Sequence, residues 1–413
     1  MPATRLGTPL WFGRFPAARR PAYPRHRGHV QTGIAIVGGG LTGCTIAWMF
    51  ASAGVDVALF EGDRIGQGMG GVRSLGLVRP EPDADFQDVV GAYGKRVARH
   101  VWREVRRASL DFATALRRLG VACDLTASDA IWLAGDPAQE ARLRKELKAR
   151  RDTGVTQDGA TWLGARQIGE ETAIAVRGGL KIRGAGAFDP YRATVGLARA
   201  AAAKGAAIFE RSEVVKVRAG RKTVEIRTAG GTVAAERVVH ATGYPIRDLR
   251  ALWRHFAAMH TYVIGTESMP AAMRREVGRR AALLRDGAMP SHFLRWGRED
   301  RILVAGADQP AIPNRARAKT LVQRAGQLMY ELSLVYPAIS GIPAAFTWDA
   351  SYAATRDGLP YFGPHRNYPR HLFAMGHGRH GAGLGFLAAR LLLRHHLDAP
   401  EKGDELFAFT RTV

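Results

Sequence analysis

Residues 34–61 read as a strand, a glycine turn, a helix and a second strand, a unit that few folds other than a nucleotide-binding sheet accommodate. Ile34-Ala35-Ile36-Val37 is a short run of the kind buried on both faces. Gly38-Gly39-Gly40-Leu41-Thr42-Gly43 follows at once, Gly54 closes the helix, and Val57-Ala58-Leu59-Phe60 ends on Glu61. Each glycine has a mechanical task. Gly38 permits the tight turn, Gly40 lets a pyrophosphate approach the backbone, and Gly43 lets the helix pack close on the strand. The helix start, at Leu41 and Thr42, presents unpaired N–H groups and partial positive charge to the phosphates. Glu61 lies 23 residues past Gly38, where an acid hydrogen-bonds ribose hydroxyls and repels a 2′-phosphate. A bare G-x-G-x-x-G arises in many loops by chance; the full unit with its terminal acid is specific, and it points to a bound dinucleotide.

The 413 residues suffice for two or three structural units around a large core, and 46% hydrophobic with 23% charged residues is the composition of a globular protein. No apolar run approaches the roughly 20 residues that span a bilayer. Cys44 and Cys123 are the only cysteines, which excludes a disulfide scaffold or a cysteine-rich metal site and fits a reducing cytoplasm. Cys44, inside the first helix, reads as a small packing residue. No metal site is expected.

The formal net charge is +23, and 51 of the 60 basic residues are arginine. So uniform a bias reflects genome composition more than an evolved face, although the field would attract acidic substrates, anionic lipid or nucleic acid. Nucleic acid is disfavoured as a partner. The arginines are scattered, no RNA-binding module is recognisable, and aromatics total 8%, too few to interleave stacking platforms with the basic groups. Residues 1–30 carry six arginines and no acid. Arg19-Arg20 is not an export signal, because Pro21, Pro24, Arg25 and Arg27 stand where an apolar run is required. With Pro16, Pro21 and Pro24, this segment reads as an extended basic arm lying on the surface or on a partner subunit, a route to an oligomer.

Further along, Val97, Val101, Val105, Ala108, Phe112, Leu116 and Leu119 recur at helical spacing within 91–120. A helix at about 138–151 is polar nearly all round, its charges a solvated face. Asp189 and Pro190 start a helix over 190–204. Strands at 207–210, 214–217, 224–228 and 233–239 follow, the last running into His240-Ala241-Thr242-Gly243. Strand-like segments surround Thr261–Ile264 and Arg301–Val304, separated by a basic helix with Arg274, Arg275, Arg279 and Arg280. Helices at about 315–335 and 383–397 complete the chain.

Six separated signals together resemble the FAD-dependent oxidoreductases of the D-amino-acid oxidase type, a family that includes glycine oxidase, sarcosine oxidase and gamma-glutamylputrescine oxidoreductase. They are the nucleotide turn with Glu61; Arg64-Ile65-Gly66-Gln67-Gly68 leading to Arg73 and Ser74; Gly186-Ala187-Phe188-Asp189-Pro190; Val238 to Gly243; Trp348 followed by Thr355 to Pro360; and Gly376-His377-Gly378-Arg379-His380-Gly381. The resemblance covers nearly the whole chain. It implies an α/β fold: a Rossmann-type, GR2-like FAD-binding domain over 31–83, 164–250 and 348–413, interleaved with an antiparallel-sheet substrate domain over 84–163 and 251–347.

It also implies roles. The turn would hold the FAD pyrophosphate and Glu61 the ribose, Val214 would contact adenine through its backbone, and Ala241, Thr242 and Gly243 would pass beside the dinucleotide. Glycines at 66, 68, 70, 71 and 76, with Arg73 and Ser74, would bring a loop to the isoalloxazine ring without side-chain obstruction. Gly378, Gly381, Ala382 and Gly383 would start a helix whose N–H groups face the flavin edge that collects negative charge on reduction. His260 and Tyr262, alternating onto one strand face, His292 with Arg295, and His380 are the candidates for substrate handling, an arginine there being able to grip a carboxylate. Two departures matter. The cysteine that covalently anchors flavin in monomeric sarcosine oxidase has no counterpart near Trp348–Asp357, so FAD is expected to be non-covalent. The lysine those enzymes place after the last glycine-His-glycine is Gly383 here, which leaves the sarcosine-type carboxylate grip open.

The expected activity is oxidation of an amine or amino acid C–N bond to an imine by hydride transfer to flavin N5, with a small-molecule substrate. The alternatives are a flavoprotein acting on an aminomethyl-type tRNA base, since the family includes oxidase domains working on modified tRNA, and a hydroxy-acid dehydrogenase of the same fold.

Overall fold

The computed structural model describes residues 4–155, 159–277, 282–379 and 381–411. Two sheets organise them. In the first, the strands Tyr368–Met375, Gly231–Gly243, Gly28–Val37, Val57–Phe60 and Ala207–Phe209 lie side by side and parallel, with Tyr361–His365 antiparallel at one edge. Ile34, Ala35 and Ile36 are fully buried, as a parallel strand covered on both faces requires. One face carries four helices: Leu41–Ser52, Phe86–Arg118, Pro190–Ala203 and Ala382–His396. The other is covered by the meander of Val214–Ala219, Val224–Thr228 and the start of Gly231–Gly243. Asp189 caps the Pro190–Ala203 helix by accepting from the Tyr191 and Arg192 N–H groups, each at 3.0 Å. Gly94, with φ of 81°, breaks the Phe86–Arg118 helix, and the stripe after it (Ala98, Val101, Trp102, Val105, Phe112, Leu116) is buried.

The second sheet has ten strands, ordered Arg5–Leu6, Ala344–Ala354, Ala257–Thr266, Ile302–Pro310, Phe293–Trp296, Ala282–Arg285, Thr126–Ala134, Gly178–Ala187 and Leu77–Val78, with Thr161–Gly164 beside Gly178–Ala187. It is mixed, not wholly antiparallel: Arg5–Leu6 runs parallel to Ala344–Ala354, and Ala282–Arg285 parallel to Thr126–Ala134. Gly178–Ala187, Leu77–Val78 and the strand containing Trp348 belong to this sheet, although their segments were expected with the FAD-binding domain.

Two other expectations are corrected. The described part of residues 1–30, from residue 4 on, is not simply an extended arm. Arg5–Leu6 adds an edge strand, Leu10–Arg14 is helical, and Leu10 and Trp11 are buried in the core of the second sheet, while Arg20 donates to the Phe12 and Phe15 carbonyls. Prolines mark that segment as non-helical locally, but its apolar side chains decide where it docks. Nor is the helix Pro137–Asp152 solvated all round: Glu146 and Arg150 are buried and paired. Arg279 and Arg280 of the basic helix lie outside the described residues, and its described part is Ala271–Glu276. Among the described residues no helix is long and apolar enough to cross a membrane.

Where Gly231–Gly243 meets Tyr368–Met375, the buried imidazoles of His240 and His371 stack and share a 3.1 Å hydrogen bond. Burial pushes His240 down to about 3 and His371 to about 4. In the unfolded chain both titrate near 6.5, so between these values the unfolded state binds more protons and stability rises with pH. With FAD held constant, the thermal midpoint is expected to fall as pH drops from 7 to 4.5. A His240→Leu/His371→Leu double variant should show a shallower acid slope; an unchanged slope would contradict this account.

Candidate active site

The parallel strands end at Val37, Phe60 and Gly243, and all three residues border one cleft of about 510 Å³. Such a crevice at the carboxyl ends of a parallel sheet is where ligands of doubly wound folds sit. The turn shapes one wall. A Cβ at Gly38 (φ 108°) would come within 2.8 Å of the Ala241 carbonyl oxygen, and one at Gly43 would run into the carbonyl of Gly38. Gly43 therefore closes the turn and does not itself line the cleft. At Gly40 a Cβ meets nothing within 4 Å, because it projects into the cleft. Leu41 and Thr42 follow on the same wall, and no side chain caps that helix. Glu61 sits at one end with Val214 and Glu213. Its carboxylate accepts from Gly39 N–H at 2.6 Å and Asp63 N–H at 2.9 Å. Burial raises its pKa, an effect these backbone donors oppose.

Ala241, Thr242 and Gly243 cross the middle, facing Gly68, Met69, Gly70, Gly71 and Ser74. Of the loop glycines, Gly66 packs against Tyr191 and Gly76 against the Phe188 carbonyl, so these two serve the fold. Arg73 also points away: it donates to the Gly7 carbonyl at 3.1 Å and covers the Phe12 ring.

The far end is built from the turn after Met375 and from the second sheet. Gly378, Gly381 and Ala382 line it, and the helix Ala382–His396 starts there with no side-chain cap. Gly378 lies flush against Asp83, whose carboxylate accepts from Arg379 N–H at 3.0 Å. Gly383 does not face the cleft, since a Cβ there would strike the Ser109 hydroxyl of the long helix. Met259, His260, Ala311, Ser351, Tyr352 and His377 complete this end. Burial holds His260 below its ordinary value, with its Nδ1 3.8 Å from Asp349, whose carboxylate also takes Arg317 at 2.7 Å.

Three other sequence candidates are elsewhere. Tyr262 is buried beneath the helix Asn314–Val335, its hydroxyl accepting from Gln309 at 2.7 Å. Arg295 is buried and donates to the Leu75 carbonyl at 2.7 Å and the Phe188 carbonyl at 3.1 Å, its guanidinium over Trp11, so it grips the fold and not a substrate. His292 is held between Asp286 at 2.7 Å and Glu331 at 3.2 Å; burial works against its charge, but these carboxylates win and raise its pKa. His380 lies outside the described residues. Sequence reasoning missed Glu213, Met69, Met259, Ser351, Tyr352 and His377. His377 alone had a signal, its place in the glycine-rich turn.

The cleft fits FAD. Its lining includes an acid at the ribose position, two uncapped helix N-termini and strands of the second sheet, and the Cβ-free wall at Gly40, Gly68, Gly70 and Gly71 leaves room for a flat, extended ligand. His260 Nδ1 and His377 Nε2 are buried on its wall with no hydrogen-bond partner in the chain.

Comparison with known proteins agrees with this geometry. Residues 33–394 match the family described as FAD dependent oxidoreductase (DAO). The chain is 25% identical to gamma-glutamylputrescine oxidoreductase of Escherichia coli, covering 87% of this chain and 82% of that protein. It is also 25% identical to glycine oxidase of Geobacillus kaustophilus, covering 92% and 96%. The crystal structure of the latter superposes with a TM-score of 0.75 at 23% identity, over 93% of this chain and 100% of that one.

Proposed function

This chain belongs to the family of FAD-dependent oxidoreductases, and on that premise we propose that it oxidises an amine or amino acid at a C–N bond, with FAD held non-covalently. The observation that carries the reading is the single cleft joining a dinucleotide turn to a far end walled by apolar side chains and two neutral, buried imidazoles, His260 and His377. Glycine and gamma-glutamylputrescine, which name two of the relatives, are both nitrogen compounds. FAD supplies the two-electron acceptor for a hydride from the carbon beside nitrogen, leaving an imine that water hydrolyses.

The chain's own part is to orient and to manage protons. The nitrogen must give up its extra proton before the lone pair can assist. His260, neutral on the cleft wall, is the acceptor for that proton at its other ring nitrogen, and Asp349, 3.8 Å from the buried Nδ1, favours the imidazolium that results. Met69, Met259 and Ala311 exclude water around the reacting carbon. Cys44 and Cys123 are buried outside the cleft lining, and burial pushes both thiols up, Cys123 to about 12, so neither suits a covalent flavin link.

Anaerobic mixing of the FAD-loaded protein with D-amino acids, N-methyl amino acids, polyamines and glutamylated amines is expected to bleach the flavin with at least one of them. Denaturation should then release the flavin into solution. Bleaching by hydroxy acids alone would sink the reading.

A further inference from the structure

Tyr352 lies on the strand Ala344–Ala354, opposite Met259, and borders the far end of the cleft. Its hydroxyl donates to Asp308 Oδ2 at 2.6 Å. That carboxylate is 1% exposed, pairs through the same oxygen with Arg379 at 3.2 Å, and has no hydrogen-bond partner at Oδ1. A phenol has one hydrogen to give and lone pairs that accept. With its hydrogen committed to Asp308, Tyr352 meets any occupant of the cleft as an acceptor only. Burial, and then the Asp308 charge, push the phenol's pKa well above its ordinary value, so the hydrogen stays in place across the working pH range.

The rest of the far end offers an anion little. Met69, Met259 and Ala311 are apolar, and the His260 and His377 imidazoles are neutral, which leaves, among the described residues, the Ser351 hydroxyl and no cationic side chain. Among the described residues no lysine or arginine lines the cleft, and the two nearby guanidiniums are engaged, Arg379 by Asp308 and Arg317 by Asp349. A carboxylate leaving water requires a cation or several donors to replace its hydration. An amine N–H, in contrast, finds an acceptor in the Tyr352 oxygen with a carboxylate behind it.

We propose that the site selects amines bearing no carboxylate on the carbon that is oxidised, and that Tyr352, oriented by Asp308, makes the selection. This rests on the reading of the site as an amine-oxidising one. Tyr352 is the specificity-determining residue and Asp308 a positioning residue.

Two measurements on the FAD-loaded protein test it. The first compares anaerobic flavin reduction by N-methylbutylamine with that by both enantiomers of N-methylnorvaline, which differ from it only by the carboxylate. The second titrates the flavin absorption spectrum with tert-butylamine and with pivalate, neither of which has a hydrogen to lose at the critical carbon. The amine is expected to be favoured over the amino acid by about a hundredfold, and tert-butylamine to perturb the spectrum at lower concentration than pivalate. Tyr352→Phe should keep its FAD content and circular dichroism while the preference shrinks about tenfold. Asp308→Asn, which frees the phenol hydrogen to turn toward the cleft, should strengthen pivalate binding. Faster reduction by N-methylnorvaline overturns the inference while leaving amine oxidation intact. Equal or tighter binding of pivalate overturns it even where neither N-methyl compound reacts. If no nitrogen compound of any kind reduces the flavin, the underlying reading falls instead.

Discussion

Gly40→Val is expected to yield a folded, colourless protein that takes up no FAD. Gly40 has extended backbone angles (φ −77°, ψ −173°) that valine adopts readily, and a Cβ there touches no atom of the chain within 4 Å. The fold loses nothing. The cleft loses the space beside an uncapped helix N-terminus, where the pyrophosphate would accept backbone N–H groups. Affinity for FAD should weaken at least about a thousandfold, equivalent to about 4 kcal/mol. The informative control is Gly43→Ala, which lies outside the cleft lining: its methyl would collide with the Gly38 carbonyl, so that variant should lose stability as well as flavin. Titrating FAD into the apoproteins, beside circular dichroism and thermal melts, separates the two. A yellow Gly40→Val protein would show that the cofactor does not lie against this turn.

The contrast between these glycines marks what the sequence could and could not disclose. The strand–turn–helix–strand unit was legible because its constraints are local: a strand buried on both faces, a turn needing positive φ at Gly38, a close approach at Gly43. The Asp189–Pro190 helix start was legible for the same reason. Gly383 and Arg73, set within equally suggestive motifs, face Ser109 and the Gly7 carbonyl, and only the fold decides what stands opposite them. Alternation places His260 and Tyr262 on one side of a strand. However, the pairing with Ile302–Pro310 shifts register between them, and the helix Asn314–Val335 covers the second, so one borders the cleft and the other is core. Arg295 was one arginine among 51, and no local pattern tells a guanidinium that ties two loop carbonyls from one that grips a substrate. Tyr352 enters the site through the pairing of Ala344–Ala354 with Ala257–Thr266, a contact made across more than eighty intervening residues.

Glu146→Ala is expected to be the most destabilising single change on the Pro137–Asp152 helix, costing about 3–5 kcal/mol. Helical spacing and a dense run of charges suggested a solvated surface there, yet Glu146 is fully buried and makes four contacts at once. It accepts from the Phe86 and Gln87 N–H groups at 2.9 and 3.0 Å and from Arg150 Nε at 2.9 Å, and pairs with Arg150 Nη2 at 2.8 Å. The first two satisfy the opening turn of the long helix, whose own N-cap residue Asp85 is occupied by Arg142 and Arg285. Arg150 lies between the rings of Trp102 at 5.6 Å and Trp132 at 5.1 Å, a position with no route to water. Removing the carboxylate takes this anion from a buried cation and orphans two amide donors, which is costlier than the pair is worth when intact. At constant FAD the urea midpoint should fall by about 1–2 M. A Glu146→Leu/Arg150→Leu double variant removes both charges together and should recover a large part of that loss, while the two amides keep it from recovering all. If Glu146→Ala unfolds at the parent's midpoint, the charges are hydrated in solution and this helix is the solvated face its composition suggested.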